Sequence, residues 1–140
     1  MRLRHVGITV SSLDTALEFY RDVLGLEVLR EMDESGEHID NFSALKGVDV
    51  RTVKLQDSDG GIIELLFYRS HPRLTGTRDI ADVGCSHFAI TVDDLDDTLE
   101  RISAAGYEAN CEPQYSPDGN VKLTFCKGPD GVLIEMVEEL

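Results

Sequence analysis

Hydrophobic positions along the chain follow two periods, and the same order of periods occurs twice. Residues 3–10 and 85–92 alternate apolar and polar and are rich in β-branched side chains, which predicts strands. The spacing then changes to that of a helix. Leu13, Ala16, Leu17, Tyr20 and Leu24 form one stripe, and Leu95, Leu99 and Ile102 form another, predicting helices over 14–24 and 95–105. Ser11-Ser12 and Asp93-Asp94 supply N-cap chemistry, and Gly25 and Gly106 stand where a C-cap glycine belongs. Shorter runs predict strands at 26–32, 50–56 and 61–68, then at 107–112, 121–127 and 132–138. Asp57-Ser58-Asp59-Gly60 and Gly128-Pro129-Asp130-Gly131 read as the turns before the last strand of each set. Residues 33–49 show neither period and are expected to form a loop.

The two halves are an internal repeat. HVGITVSSLDTALEFY at 5–20 and HFAITVDDLDDTLERI at 87–102 share eight of sixteen positions. Asp59-Gly60-Gly61-Ile62-Ile63-Glu64 likewise corresponds to Asp130-Gly131-Val132-Leu133-Ile134-Glu135. Each unit reads β-α-β-β-β, opens with a His and closes with a Glu. The expected organisation is one domain over 1–140, with module one at about 2–69, a linker at about 70–83 and module two at about 84–139. The 140-residue length suits a single domain with its own core.

Charge narrows the function classes. Thirteen Lys+Arg against 27 Asp+Glu give a formal net charge of −14, which argues against nucleic acid and against a polybasic membrane contact. No apolar run approaches a transmembrane length, and the first residues lack a signal-peptide core, so a cytoplasmic protein is expected. Cys85, Cys111 and Cys126 are odd in number and include no C-x-x-C, which fits reduced thiols. The segment around Arg69, Arg73 and Arg78 is the least acidic part of the chain; it could hold an anionic tail, or form a solvated linker or a dimer contact.

Strand parity places the candidate chemistry. Val6, Ile8 and Val10 share one face and suit the following helix; His5, Gly7 and Thr9 share the other. The second unit repeats this with Phe88, Ile90 and Val92 against His87, Ala89 and Thr91. Glu64 shares a face with Ile62 and Leu66, and Glu135 with Leu133 and Val137. A carboxylate among such neighbours needs a cation, a proton or strong hydrogen bonds. A single His or Glu near a strand end is ordinarily hydrogen-bonded or solvated. The same pair at the same module positions twice instead points to a metal set of His5, Glu64, His87 and Glu135. His38 and His71 fall in irregular segments and are read as loop residues. Cys85 is read as a packed thiol, and Asp93-Asp94-Leu95-Asp96-Asp97 as helix capping rather than a calcium loop.

These residues resemble the vicinal oxygen chelate superfamily. The likeness covers nearly the whole chain and is carried by His5-Val6-Gly7-Ile8-Thr9-Val10, Phe19-Tyr20-Arg21-Asp22-Val23-Leu24-Gly25-Leu26, Ile63-Glu64-Leu65-Leu66, His87-Phe88-Ala89-Ile90 and Gly128-Pro129-Asp130-Gly131 with Ile134-Glu135. The resemblance implies an α+β fold of two tandem β-α-β-β-β modules. Together these form a cup-shaped, incompletely closed eight-stranded barrel with helices outside. It also implies a small-molecule substrate and a homodimer. The His5, Glu64, His87, Glu135 pattern looks like the metal-dependent glyoxalase (lactoylglutathione lyase-like) members, with methylmalonyl-CoA epimerase-like members next. Two departures stand out. Phe67-Tyr68-Arg69-Ser70 lies where glyoxalase carries an Asn that holds glutathione, and Tyr115-Ser116-Pro117-Asp118-Gly119 replaces its Lys/Gly-rich loop. Near the epimerase-like Leu45-Lys46-Gly47-Val48, the acidic residue at hand is Asp40.

The expected function is a glyoxalase-like lyase/isomerase or an epimerase that removes a proton next to a carbonyl through a metal-stabilised enediolate. Glu135 is the first choice of base and Glu64 its partner. The ion is expected to be a single Ni, Co, Zn or Mn, ahead of Fe(II). The alternatives are an Fe(II)-dependent ring-cleaving dioxygenase and a non-catalytic small-molecule binding or resistance protein.

Overall fold

A computed structural model describes residues 1–71, 76 and 79–140. The chain divides into two compact units, Met1–Thr75 and Gly76–Leu140. Both are α+β, each built on a four-stranded sheet.

In the first unit, β1 (Val6–Thr9) leads into α1 (Leu13–Leu17), which widens into a π-helical turn over Glu18–Val23. β2 (Glu27–Ser35), α2 (Glu37–Ser43), β3 (Asp49–Gln56) and β4 (Ile62–Tyr68) follow. The sheet order is β1-β4-β3-β2, with β1 parallel to β4 and the other pairs antiparallel. Parity holds as expected: Ile8 and Val10 are buried while Gly7 and Thr9 are exposed. Ala16, Phe19 and Tyr20 of the helix are fully buried, as are Val53, Leu55 and Leu65 of the sheet. Ser12 caps α1 by accepting from the Thr15 amide. Gly25, at φ 81°, ends the helix, and the Leu26 amide reaches back to the Tyr20 carbonyl.

The second unit contains β5 (Phe88–Thr91), α3 (Leu95–Ala104), β6 (Gln114–Tyr115), β7 (Val121–Lys127) and β8 (Leu133–Glu139). Its order, β5-β8-β7-β6 with β5 parallel to β8, repeats that of the first unit. Asp94 caps α3 through the Asp97 amide, and Gly106, at φ 86°, ends it. Glu138 of β8 accepts from the Leu95 amide at 2.7 Å, and Lys122 of β7 pairs with both Glu138 and Asp96. The first turn of α3 is thereby tied to the two central strands.

Three local expectations are corrected. Residues 33–49 are not a plain loop: β2 continues to Ser35, and α2 covers the sheet face opposite α1. There Ile39 packs with Val48 and Val50, flanked by Leu66 and Tyr68. The helix expected over 14–24 is not one α-helix. The Leu24 amide bonds to the Phe19 carbonyl, five residues back, and the wider turn accommodates two adjacent buried aromatics, Phe19 and Tyr20, packed edge to face. The strand expected at 107–112 reduces to a single bridge from Ala109 to Cys126, with β6 forming only after Pro113.

Candidate metal centre

Strand register builds the site. Glu64 on β4 has Gly7 as its parallel partner and Lys54 as its antiparallel partner. Gly7 brings no side chain, so the Glu64 carboxylate has room to reach the imidazole of His5. His5 Nε2 lies 3.1 Å from Glu64 Oε2, and Lys54 Nζ lies 3.3 Å from Oε1. One partly buried carboxylate is held between an imidazole and an ammonium, which satisfies the need that its apolar neighbours create.

The second unit repeats the first half of this arrangement. Glu135 on β8 lies between Ala89 and Phe125, and His87 Nε2 is 3.5 Å from its Oε2. The Phe125 ring meets the His87 ring edge-on, with centroids 5.1 Å apart. On the far side of that imidazole, Ser86 Oγ lies 2.8 Å from Nδ1. The Nδ1 of His5 is buried and has no hydrogen-bond partner among the described residues.

Both pairs suit a divalent ion. Two donors about 2.1 Å from one ion are roughly 3.0 Å apart at right angles and roughly 3.4 Å apart in a tetrahedron. The His–Glu separations of 3.1 and 3.5 Å fall at these spacings. Imidazole nitrogen with carboxylate oxygen suits Zn, Ni, Co and Mn. Ligation through Nε2 leaves the ring proton on Nδ1, and Ser86 stands where it can accept that proton from His87. The structure thus brings His5 to Glu64 and His87 to Glu135. Among the described residues, no group of three or more His, Cys, Asp or Glu side chains gathers in metal-binding geometry.

The remaining candidates have other roles. Arg69 pairs with Asp33 and Asp49, each at 2.6 Å, so its charge is already matched; those guanidinium contacts hold both carboxyls below the usual carboxylate range. Arg73 and Arg78 lie outside the described residues. Both oxygens of Asp40 accept backbone amides, from Val48 at 2.8 Å and Gly47 at 2.7 Å, which depresses its pKa and makes it a loop fastener. His38 sits exposed on α2 beside Phe42, and His71 stacks edge-on to Tyr68. Cys85 is exposed rather than packed; the buried thiol is Cys126, pushed up to about 11 by burial. Asp94, Asp96 and Asp97 cap α3 or pair with Lys122 and Arg101, as the capping reading requires.

Two residues escaped the sequence reading, Lys54 and Ser86. Folding the chain about the turn at 57–61 sets Lys54 opposite Glu64, and Ser86 immediately precedes a candidate ligand. Both signals were present in the sequence.

Known proteins share the sequence pattern and the fold. The family described as the Glyoxalase/Bleomycin resistance protein/Dioxygenase superfamily matches residues 2–136. A probable lactoylglutathione lyase of Vibrio cholerae is 32% identical over 138 residues, covering 98% of this chain and 90% of that protein. Another from Synechocystis is 32% identical over 139 residues, covering 99% and 95%. Among solved structures, a glyoxalase family protein from Bacillus cereus superposes with a TM-score of 0.91 at 28% identity, covering 100% of this chain and 95% of that one.

Proposed function

Since the chain belongs to the glyoxalase/bleomycin resistance protein/dioxygenase superfamily, we propose that it is a metal-dependent, glyoxalase-like lyase that moves a proton on carbon next to a carbonyl. The observation that carries this reading is duplication. The same His–Glu pair, at the same strand positions and at ligand spacing, occurs in both modules. His5, Glu64, His87 and Glu135 are the four donors, one pair of each kind per ion, drawn from one chain or from two copies. The relatives' name, lactoylglutathione lyase, points to lactoylglutathione as the substrate or product. A homodimer in the cytoplasm completes the reading.

A divalent ion held there would polarise the substrate carbonyl and take up the charge that develops on its oxygen. The histidines would hold it through Nε2, the nitrogen that faces each glutamate, and Ser86 fixes the His87 ring. Glu135 takes the proton from carbon and returns it to the neighbouring carbon, so the isomerisation exchanges no net proton. Glu64 is the second carboxylate able to serve. It comes second because Lys54 holds its Oε1, whereas the cross-strand neighbour of Glu135 is the phenyl ring of Phe125.

Elemental mass spectrometry of the purified protein, with His5→Ala and Glu135→Ala beside it, tests the centre. The expected result is near one divalent ion per chain, lost in both variants, with lactoylglutathione formed from methylglyoxal and glutathione only by the loaded wild type. Metal indifferent to both substitutions, or no metal, would leave a binding protein. Iron with oxygen uptake would make it a dioxygenase.

A further inference from the structure

The two modules build the same hairpin with connections of unequal length. In module two β6 joins β7 through six residues, 116–121, between the paired Tyr115 and Lys122. In module one β2 joins β3 through thirteen residues, 36–48, between the paired Ser35 and Asp49. The hairpin does not require the extra length, and that length carries α2. Nor does the segment add much core: from Glu37 to Lys46 only Ile39 is buried, while Phe42 is 72% exposed. Long excursions with adjacent ends are a common place for function. Ile39 sets down on Val48 and Val50, beside Leu66 and Tyr68. Leu66 is two residues from Glu64 on β4 and shares its face, so α2 roofs the surface that runs up to the His5–Glu64 pair. The stems beneath it are fixed. Arg69 pairs with Asp33 on β2 and with Asp49 on β3, each at 2.6 Å, and so clamps the ends of the segment together. Beyond the clamp stand Gly36 and Gly47, with φ 101° and 68°; chain neighbours apart, no atom lies within 4 Å of where a Cβ would stand at either. Asp40 spans the second of these by accepting the Gly47 and Val48 amides.

We propose that residues 37–46 form a lid over the Glu64 face of module one, hinged at Gly36 and Gly47, seated by Ile39 and latched by Asp40. Opening lifts α2 off Val50 without unpairing β2 from β3, and closing covers a ligand beside the His5–Glu64 pair. The identity of that ligand rests on the function proposed above; the movement does not.

Thiol labelling tests the movement. Val50 and Val53 are both fully buried on β3, but Val50 lies under Ile39 and Val53 on the opposite face. Val50→Cys and Val53→Cys are each made in the full chain. Alkylation by iodoacetamide is followed by peptide mapping, which separates the introduced thiol from Cys85, Cys111 and Cys126. Thermal melts check folding, and Leu66→Cys, beside the same Ile39, replaces Val50→Cys if that variant melts early. Labelling at position 50 is expected to be at least about 30-fold faster than at position 53, because local opening is easier than global opening. Adding Ile39→Ala should speed the first about tenfold and change the second less than about twofold. Equal rates at the two positions, or equal acceleration of both, would mean that α2 leaves only when the sheet does, and overturns the lid. Lactoylglutathione, with zinc present and binding measured by calorimetry, is expected to slow labelling at position 50 about tenfold. Binding without slowing also overturns the lid. No binding overturns the proposed function instead, and the ratio of rates without ligand then decides the lid alone.

Discussion

Replacing Ser86 with Ala probes whether His87 ligates through Nε2. In that tautomer the Nδ1 proton points at Ser86 Oγ, 2.8 Å away. A neutral hydrogen bond contributes about 0.5–1.5 kcal/mol net. Loss of an outer partner to a ligating histidine costs about 10–100-fold in metal affinity. The His87 side chain is 34% exposed, so water can replace the serine hydroxyl, and the effect belongs at the low end. Ser86→Ala should therefore weaken metal binding about three- to tenfold, roughly 0.6–1.4 kcal/mol. Zinc competition between the protein and a chromophoric chelator measures this. The melting temperature of the metal-free protein should not move, because Ser86 holds a ring and not a core. An unchanged zinc affinity would refute the tautomer argument. A loss as large as that of Glu135→Ala would make Ser86 itself a ligand.

Two further expectations concern the scaffold. Leu65 is fully buried on β4, between β1 and β3, so Leu65→Ala should cost about 3 kcal/mol, read as a lower urea midpoint at unchanged slope. Asp40 has its pKa depressed by the Val48 and Gly47 amides, so its contribution is complete above the unfolded value of about 3.9 and is lost as pH falls through the lower folded value. The melting temperature of wild type should exceed that of Asp40→Asn by a constant margin from pH 7 to pH 5, and that margin should shrink below about pH 4. A margin that grows on acidification would contradict the assignment.

Legibility followed the kind of force at work. The opening strands, both N-caps and both C-cap glycines were readable because alternation, Ser12 and Asp94 caps, and left-handed Gly25 and Gly106 are local effects. The His–Glu pairs were readable because the repeat stands in for the missing third dimension. α2 was not. Its Glu-His-Ile-Asp-Asn-Phe-Ser sequence has poor helix propensity, and it buries only Ile39, so it is held by packing on Val50 and by Asp40 gripping the following loop. The strand at 107–112 failed because apolar alternation does not say whether a neighbouring edge is in reach. The partner of Glu64 needed a register, and the sequence sets that register only through the turn after Gln56.

The strand order carries a consequence for how the chain matures. In each module the strand made first pairs with the strand made last, so its histidine waits for the whole module before meeting its glutamate. Such pairings between distant positions form late. No half-made module can present the pair, because its last strand is the one that carries the glutamate. The His–Glu pair therefore marks closure: it exists only in a module whose first and last strands have met.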